Sequence, residues 1–168
     1  GQILEKGLLD KSIKSAPYCP RCETPLSNFE VNDGHRDNVP DPSLFVKFKL
    51  EDEDASLLAW TTTPWSLPGN AAVALNPNEQ YVYVEYTDDN GKTDTIILAK
   101  SRLEVLDEQD YKIIKEVSAG GLIGKKYQPL FEVKNVKDQP NAKNLYQVQP
   151  ANFVSVQDGT GVLHVAPA

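Results

Sequence analysis

Hydrophobic and polar residues alternate along most of the chain after residue 42, which is the pattern of β-strands with one buried face. Residues 56–62 are instead continuously apolar up to two threonines, as in a strand at the centre of a sheet. We therefore predict six strands, at residues 43–50, 56–62, 71–75, 81–87, 93–99 and 111–117. Shorter strands are expected toward the C-terminus, at residues 125–133, 146–150, 152–156 and 162–166.

Helical patterns are few and short. Leu103 and Leu106 share one face of a predicted helix at residues 100–109, and residues 1–16 fit a weakly amphipathic helix or a tail. Many short strands with one or two helices predict an α+β fold that is predominantly β and barrel-like, with a few peripheral helices. Residues 17–42 are rich in Pro, Gly, Asn and Asp, so we divide the chain into a connector at residues 1–42 and a domain at residues 43–168.

Composition narrows the possible functions. The chain has 168 residues, 40% of them hydrophobic, and a formal net charge of −7. This acidity argues against a module that grips a nucleic-acid backbone through bulk positive charge. No apolar run reaches the roughly 20 residues of a membrane helix, so we expect no membrane partner. The chain contains no Met, not even at position 1, and we expect it to be a piece of a longer protein.

Two cysteines form one C-x-x-C motif. Cys19 and Cys22 are too few for a secreted disulfide framework, which favours a reducing, cytoplasmic location. A structural zinc site has four ligands, of which this motif supplies two. His35 is a conceivable third ligand, and the sequence offers no evident fourth. We therefore predict half of a zinc site, with the partner ligands outside this chain.

Three consecutive threonines end the apolar strand. Thr61, Thr62 and Thr63 precede a loop made rigid by Pro64 and Pro68, and their hydroxyls can both donate and accept hydrogen bonds. Strand alternation would place Thr62 opposite the other two. Such a segment can hold a polar ligand or a water molecule. The same run also fits an ordinary strand end, because threonine is a common strand residue.

A second segment combines a glycine-rich turn with a histidine. Gly159, Thr160 and Gly161 lead into a short strand that contains His164. A single histidine at a strand end can orient a hydroxyl or a water, or act as an acid or a base. A purely structural histidine fits the same pattern. The Gly-Thr-Gly turn is not a phosphate-binding loop, since it precedes a strand rather than a helix.

Both segments resemble the editing domain inserted, as a connective peptide, in isoleucyl-tRNA synthetases of the class I family. TTTPWSLPGNAAVALNP is similar to the threonine-rich peptide of that domain, and DGTGVLHVAPA is similar to its second editing-site segment. The resemblance extends from Pro17 to the last residue. The related valyl and leucyl enzymes typically carry Thr-Thr-Arg-Pro followed by an acidic residue. The Thr63-Pro64-Trp65 sequence therefore favours the isoleucyl branch.

The resemblance implies that this domain hydrolyses Val-tRNA(Ile), with valyl-adenylate as a second candidate substrate. A synthetic site cannot strongly reject valine, because the methylene that distinguishes isoleucine contributes only about 1–3 kcal/mol of binding free energy. This is an established estimate, and these enzymes are its usual example. The editing pocket would exclude isoleucine by size. By resemblance the catalytic residues are Thr61, Thr62, Thr63 and His164. The implied substrate-binding residues are Trp60, Ser66, Asn70, Gly159, Thr160 and Gly161.

The resemblance also implies cofactors and partners. The parent enzyme would ligate isoleucine to tRNA(Ile) with ATP and Mg²⁺ in a synthetic site elsewhere, and would bind zinc, whereas this chain itself needs no cofactor. Its partners would be the tRNA(Ile) 3′ end carrying a misattached amino acid and the rest of the synthetase. We expect the chain alone to be monomeric. Two alternatives stay open: a non-catalytic module that positions the tRNA 3′ end, and an editing domain of the valyl or leucyl type.

The chain departs from the family pattern at two points. Ser66 stands where the family usually has Thr, which keeps the hydroxyl and removes a methyl group. The family's acidic residue for the substrate's α-ammonium group is expected beyond Ala168. We therefore expect the chain alone to have an incomplete pocket and to edit poorly or not at all.

Overall fold

The computed structural model describes residues 1–12, 15–34, 36–87, 91–106, 110–133 and 142–166. The chain forms two compact units, Gly1–Pro40 and Asp41–Ala168. Within the described ranges, no helix has the length and apolar character needed to cross a membrane.

Among its described residues, the first unit contains two short helices and one hairpin. Helix α1 spans Gln2–Glu5, strands β1 (Tyr18–Cys19) and β2 (Thr24–Pro25) pair antiparallel, and helix α2 spans Asn28–Asp33. A capping box starts α2: the Glu30 amide donates to the Ser27 hydroxyl, and the Ser27 amide donates to the Glu30 carboxylate. Among the described residues of the segment 1–16, for which a helix or a tail was predicted, only Gln2–Glu5 are helical.

The described part of the second unit contains eight strands. They are β3 (Leu44–Lys49), β4 (Ser56–Thr61), β5 (Ala72–Leu75), β6 (Gln80–Thr87), β7 (Thr93–Ala99), β8 (Tyr111–Ser118), β9 (Gln147–Pro150) and β10 (Val162–Val165). Among the described residues, 3-10 helical segments connect them at Pro64–Gly69, Lys100–Leu106, Ala119–Gly121 and Ala142–Asn144, and Arg102 interrupts the helical geometry of the second.

The strands form two sheets. A five-stranded sheet has the order β3-β4-β7-β6-β8, and a three-stranded sheet has the order β10-β5-β9. The β4–β7 and β5–β9 pairs are parallel, and the other pairs are antiparallel. The expected α+β, predominantly β class is confirmed. Its barrel-like description is refined, since the described strands make two separate sheets that do not close into a barrel.

The main core lies between the sheets. Leu57 and Ala59 of β4 face it together with Val73 and Leu75 of the small sheet. The opposite face of the large sheet buries Leu58, which packs with Ile96 and with Leu106 of a 3-10 helix. Alternate residues of β4 thus enter two cores, which explains why its sequence is continuously apolar.

Three sequence predictions were wrong in detail. The helix predicted at residues 100–109 is a 3-10 helix over Lys100–Leu106, and residues 107–109 lie outside the described part of the chain. Residues 152–156 form no strand, and a turn closed by the hydrogen bond from the Val154 amide to the Ala151 carbonyl occupies the start of this segment. In the predicted strand at 125–133, Lys126 and Tyr127 form only isolated bridges. Within the described part of the chain, residues 125–133 and 152–156 have no extended partner strand, which a stable strand requires.

Candidate functional site

A cavity of about 540 Å³ opens in the second unit where the end of β4 meets β10. One wall carries Trp60, the three threonines and Ser66, and the other runs from Asp158 to His164. Phe153, Val154, Ser155 and Ala166 complete the described lining. The two segments singled out by sequence, about 100 residues apart, therefore meet around one space.

The threonine wall is a cluster of hydroxyls. Strand β4 ends at Thr61, and Pro64 begins the 3-10 helix, where its fixed φ angle and missing N–H are tolerated. The Thr63 amide donates to Thr61 Oγ1 over 3.1 Å, and the Thr61 and Thr63 hydroxyl oxygens lie 3.4 Å apart. The prediction that Thr62 faces away was wrong, because the strand ends at Thr61 and all three threonines line the cavity.

Ser66 joins this cluster to the histidine. Its hydroxyl donates to the Thr63 carbonyl over 2.7 Å and lies 3.3 Å from the Thr63 hydroxyl. The same oxygen lies 3.0 Å from His164 Nε2. Tight 3-10 geometry produces the contacts with Thr63, since it turns Ser66 back toward the residue that precedes the 3-10 helix.

His164 is half-buried on β10, and both of its ring nitrogens have partners. Nε2 contacts Ser66, and Nδ1 lies 2.9 Å from Asn70 Nδ2. The Phe48 ring lies nearly parallel to the imidazole, with 6.4 Å between the ring centroids. Burial lowers the pKa of His164 below its ordinary 6.5, so the neutral form is favoured. This environment suits a fixed, uncharged wall better than a proton acceptor.

Asn70 lies behind His164 rather than on the described cavity wall. Its side chain is buried, Nδ2 donates to the Ala72 carbonyl over 3.0 Å, and Oδ1 accepts from the Tyr127 hydroxyl over 2.7 Å. Tyr127 is fully buried, and burial raises its pKa. Sequence reasoning missed Tyr127 because nothing around it marks a role, and its partner is 57 residues away.

The glycine turn forms the opposite wall, and its backbone lies close to Trp60 and Ala99. Gly159 and Gly161 have φ angles of 67° and 72°. A Cβ atom at Gly159 would lie 3.1 Å from the Trp60 ring, and one at Gly161 would lie 2.5 Å from Ala99 Cβ. Thr160, between them, is buried, and its carbonyl accepts from the Ala99 amide. The turn is therefore seated tightly against the large sheet.

Arg102 is a second residue that the sequence did not single out. Its Nε donates to the Gly159 carbonyl over 2.8 Å, and its Nη1 donates to the Gln157 carbonyl over 3.0 Å. Asp158, between these two carbonyls, is an exposed carboxylate on the cavity wall. Arg102 thus holds the backbone on both sides of the acidic residue.

The cysteines belong to the first unit. The Cys22 amide donates to Cys19 Sγ over 3.4 Å, and this hydrogen bonding lowers the pKa of Cys19. The side-chain hydrogen bond with Cys19 in turn raises the pKa of Cys22. A C-x-x-C pair can supply two of the four ligands of a tetrahedral zinc site. Among the residues that the structure describes, no group of three or more His, Cys, Asp and Glu could hold a metal, and His35 lies outside them. The zinc half site stays a prediction.

Almost the whole length of the chain is similar to curated isoleucine–tRNA ligases. It is 44% identical over 169 residues to the cytoplasmic isoleucine–tRNA ligase of Mus musculus, covering 99% of this chain and 13% of the relative. For the isoleucine–tRNA ligase of Clostridium acetobutylicum the identity is 45%, with 99% and 15% covered. For that of Methanococcus maripaludis it is 42%, with 97% and 17% covered. The chain therefore spans less than a fifth of the length of these relatives. No family model matches it.

Solved structures agree at the level of fold. The editing domain of the P. knowlesi cytosolic leucyl-tRNA synthetase aligns with a TM-score of 0.56 at 14% identity, covering 73% of this chain and 57% of that one. The corresponding P. falciparum domain aligns with a TM-score of 0.53 at 18% identity, covering 68% and 42%. The resemblance found in the two motifs is confirmed: this chain corresponds to a segment of the isoleucyl-tRNA synthetases and has the fold of a synthetase editing domain.

Proposed function

We propose that the cavity hydrolyses the ester bond between a misattached amino acid and the 3′ end of a tRNA, with Val-tRNA(Ile) as substrate. The observation that carries this proposal is the meeting of the hydroxyl cluster and His164 around one cavity. A chain similar to isoleucine–tRNA ligases has use for such a site, because valine is one methylene smaller than isoleucine. Binding alone discriminates weakly on that difference.

In this proposal the hydroxyls position the water. Thr62 and Thr63 are exposed at the cavity wall and can hold a water and the substrate's oxygens by neutral hydrogen bonds. The water adds to the ester carbonyl carbon, the bond to the ribose oxygen breaks, and the proton lost by the water reaches that leaving oxygen. Neutral donors fixed in place would stabilise the developing negative charge without reorganising.

His164 acts as a wall in this mechanism. Its ring nitrogens are occupied by Ser66 and Asn70, so it does not take the proton of the water. Because the ring is held from both sides, it sets the depth available to the amino-acid side chain. The exposed carboxylate of Asp158 places negative charge near the same space, which suits a substrate with an α-ammonium group.

The proposed partners are the tRNA 3′ end and the rest of the synthetase. A chain with a net charge of −7 is unsuited to strong binding of a phosphate backbone by itself. The pocket needs to receive only the terminal nucleotide of a tRNA that other parts of the synthetase hold. We further propose that the parent enzyme ligates isoleucine to tRNA(Ile), and that Cys19 and Cys22 contribute two thiolates to its zinc.

The test is clearance of Val-tRNA(Ile) by the full-length synthetase. Thr62→Val and Thr63→Val remove one hydroxyl each and keep a β-branched side chain, and we expect each to slow clearance about 10- to 100-fold. Thr87→Val is the matched control, since Thr87 pairs with Thr93 in the β6–β7 hairpin and does not line the cavity. Unchanged clearance in the Thr62 variant and in His164→Ala would remove the assigned site.

Two other outcomes select the alternatives. Faster clearance of threonyl or norvalyl esters than of valyl esters points to the valyl or leucyl type of editing. Tight binding of a non-hydrolysable valyl-adenosine analogue, without turnover of any ester by the full-length synthetase, points to a positioning module.

A further inference from the structure

The partners of His164 belong to one continuous hydrogen-bond chain that runs from the core to the cavity. It begins at the buried hydroxyl of Tyr127, passes through the Asn70 side chain and the imidazole, and ends at Ser66 and the Thr63 carbonyl. Each link is between 2.7 and 3.0 Å long. The direction of such a chain decides where the proton of a neutral histidine resides.

The Ala72 carbonyl fixes that direction, because a carbonyl can only accept. Asn70 must therefore turn its NH₂ group toward Ala72, and the same nitrogen faces His164 Nδ1. The amide has two hydrogens, one for each of these partners. Nδ1 consequently accepts and carries no proton, and Asn70 Oδ1 is left to accept from Tyr127.

We propose that Asn70, anchored by the Ala72 carbonyl, is a positioning residue that holds His164 as the neutral tautomer with its proton on Nε2. The Nε2–H then donates to Ser66 Oγ, which leaves the Ser66 hydroxyl free to donate to the Thr63 carbonyl. A second proton on the ring would point Nδ1–H at the amide hydrogens of Asn70. The cation therefore loses a hydrogen bond that the neutral form has.

The groups that face His164 carry no compensating charge. From the 3-10 helix and the residue after it come Ser66 and Asn70, and from β3 comes the Phe48 ring. The Tyr127 phenol lies one link further back. Asp158 is the single carboxylate among the described lining residues of the cavity. Among the described residues, no group in direct contact with the ring stabilises its protonated form.

The consequence for the proposed function, on which this part rests, is electrostatic. An aminoacyl ester brings a positively charged α-ammonium group into the cavity, and an imidazolium wall would repel it. A histidine locked in its neutral form provides a rigid polar boundary without that charge. Asn70, assigned by resemblance to substrate binding, acts in this account through the histidine instead.

The tautomer can be measured directly on the unmodified 168-residue chain. Long-range ¹H–¹⁵N correlation spectra distinguish a protonated ring nitrogen from a bare one, and the chain has only two histidines. The His35→Gln variant assigns the remaining signals to His164. We expect a bare Nδ1 and a protonated Nε2 at neutral pH. A proton on Nδ1 in this chain would overturn the proposal without any variant of the site.

Two substitutions in the chain separate positioning from general packing. Asn70→Asp keeps the shape but cannot donate, so we expect Nδ1 to become protonated and the pKa of His164 to rise by about one unit or more. Tyr127→Phe is the matched control: it loses a buried hydrogen bond of the same chain but leaves the Ala72 anchor. The His164 tautomer should be unchanged in Tyr127→Phe. The proposal fails if Asn70→Asp keeps a bare Nδ1, or if Tyr127→Phe moves the proton as well.

Ester clearance by the full-length synthetase supplies a separate readout. In Asn70→Asp we expect the KM for Val-tRNA(Ile) to rise more at pH 6 than at pH 8, while Tyr127→Phe keeps the wild-type pH profile. If the wild-type synthetase clears no ester, the proposed function fails, yet the tautomer result stands or falls on its own spectra. A wild-type pH profile in Asn70→Asp would overturn the electrostatic part.

Discussion

At the scale of single residues, the site contains neutral groups whose hydrogen-bonding atoms are held by other residues. His164 is a direct example, since each of its ring nitrogens has a partner and burial disfavours its charged form. The sequence identified His164 from its position at a strand end beside a glycine turn. It could not show that the ring is uncharged, because Asn70 and Tyr127 come from other parts of the chain.

Burial of His164 predicts a specific pH dependence of stability. Its folded pKa lies below the ordinary 6.5, so the unfolded chain binds more protons between these two values. The free energy of unfolding should therefore fall as the pH decreases below about 6.5. Urea unfolding between pH 7 and 5 measures this slope, which His164→Gln should flatten.

A carboxylate gives the control for that measurement. Hydrogen bonds from Lys47 and Lys92 hold the pKa of Asp94 below 3.8, so its contribution is lost only as the pH falls through still lower values. Asp94→Asn should leave the slope between pH 7 and 5 as it is in the wild type. An equal slope in the wild type and His164→Gln would show that His164 is not the titrating group.

Ser66 gives a second prediction at this scale. Ser66→Ala removes the oxygen that contacts both His164 Nε2 and the Thr63 carbonyl, and we expect unfolding free energy to fall by about 1 kcal/mol. Ser66→Thr restores the hydroxyl and the methyl group that the resembling family carries, and should keep wild-type stability. Chemical denaturation of the two variants measures both free energies of unfolding. An equal decrease in Ser66→Ala and Ser66→Thr would argue against the hydroxyl as the stabilising group.

At the scale of elements, strands with one buried face were predictable, whereas the turn within residues 152–156 was not. β3, β4, β6 and β7 lie within a residue or two of the predicted ranges, because their alternation reflects real burial on one or both faces. Residues 152–156 alternate as well, yet Phe153 is 75% exposed and the backbone turns at Val154. Alternation alone does not reveal whether a partner strand exists.

The glycine turn offers a matched pair of substitutions. Gly161→Ala combines a positive φ with a Cβ placed 2.5 Å from Ala99 Cβ, and should cost about 2 kcal/mol or more. Gly91→Ala has a similar φ of 78° but open space around the added atom, and should cost about 1 kcal/mol. Thermal unfolding compares the stabilities of the two variants. An equal loss of stability would mean that the close approach of Gly161 to β7 does not add to the cost of the substitution.

Arg102 supplies the other prediction for this turn. Arg102→Ala removes two hydrogen bonds to the backbone around Asp158, so the cavity wall loosens and the KM for the aminoacyl ester should rise several-fold with kcat less affected. Lys100→Ala is the control on the same 3-10 helix, where Lys100 pairs with Glu116 at the surface. Ester kinetics with both variants of the full-length synthetase test this, and equal KM values would refute a positioning role.

At the scale of the whole molecule, the two compact units differ in what stabilises them. Every residue of both hydrophobic clusters lies in the unit Asp41–Ala168, while Ile3, Leu4 and Phe29 of the first unit are exposed. The parallel β4–β7 and β5–β9 pairs were beyond prediction from the sequence, because alternation specifies which face of a strand is buried and not its neighbour.

This distribution predicts that residues 41–168 fold without the first unit. Limited proteolysis followed by mass spectrometry should yield a resistant fragment that begins near residue 41, and its melting temperature should lie within a few degrees of that of the whole chain. A fragment that unfolds far below the whole chain would show that residues 1–40 contribute to its stability.

The two cavity walls come from distant parts of the sequence, and this determines the order in which they form during synthesis. The hydroxyl wall is local and is complete soon after β4 leaves the ribosome, whereas His164 contacts Ser66 across 98 residues and arrives with β10. Such distant pairing forms late in folding. A nascent chain therefore carries only the hydroxyl wall of the cavity until β10 has paired with β5.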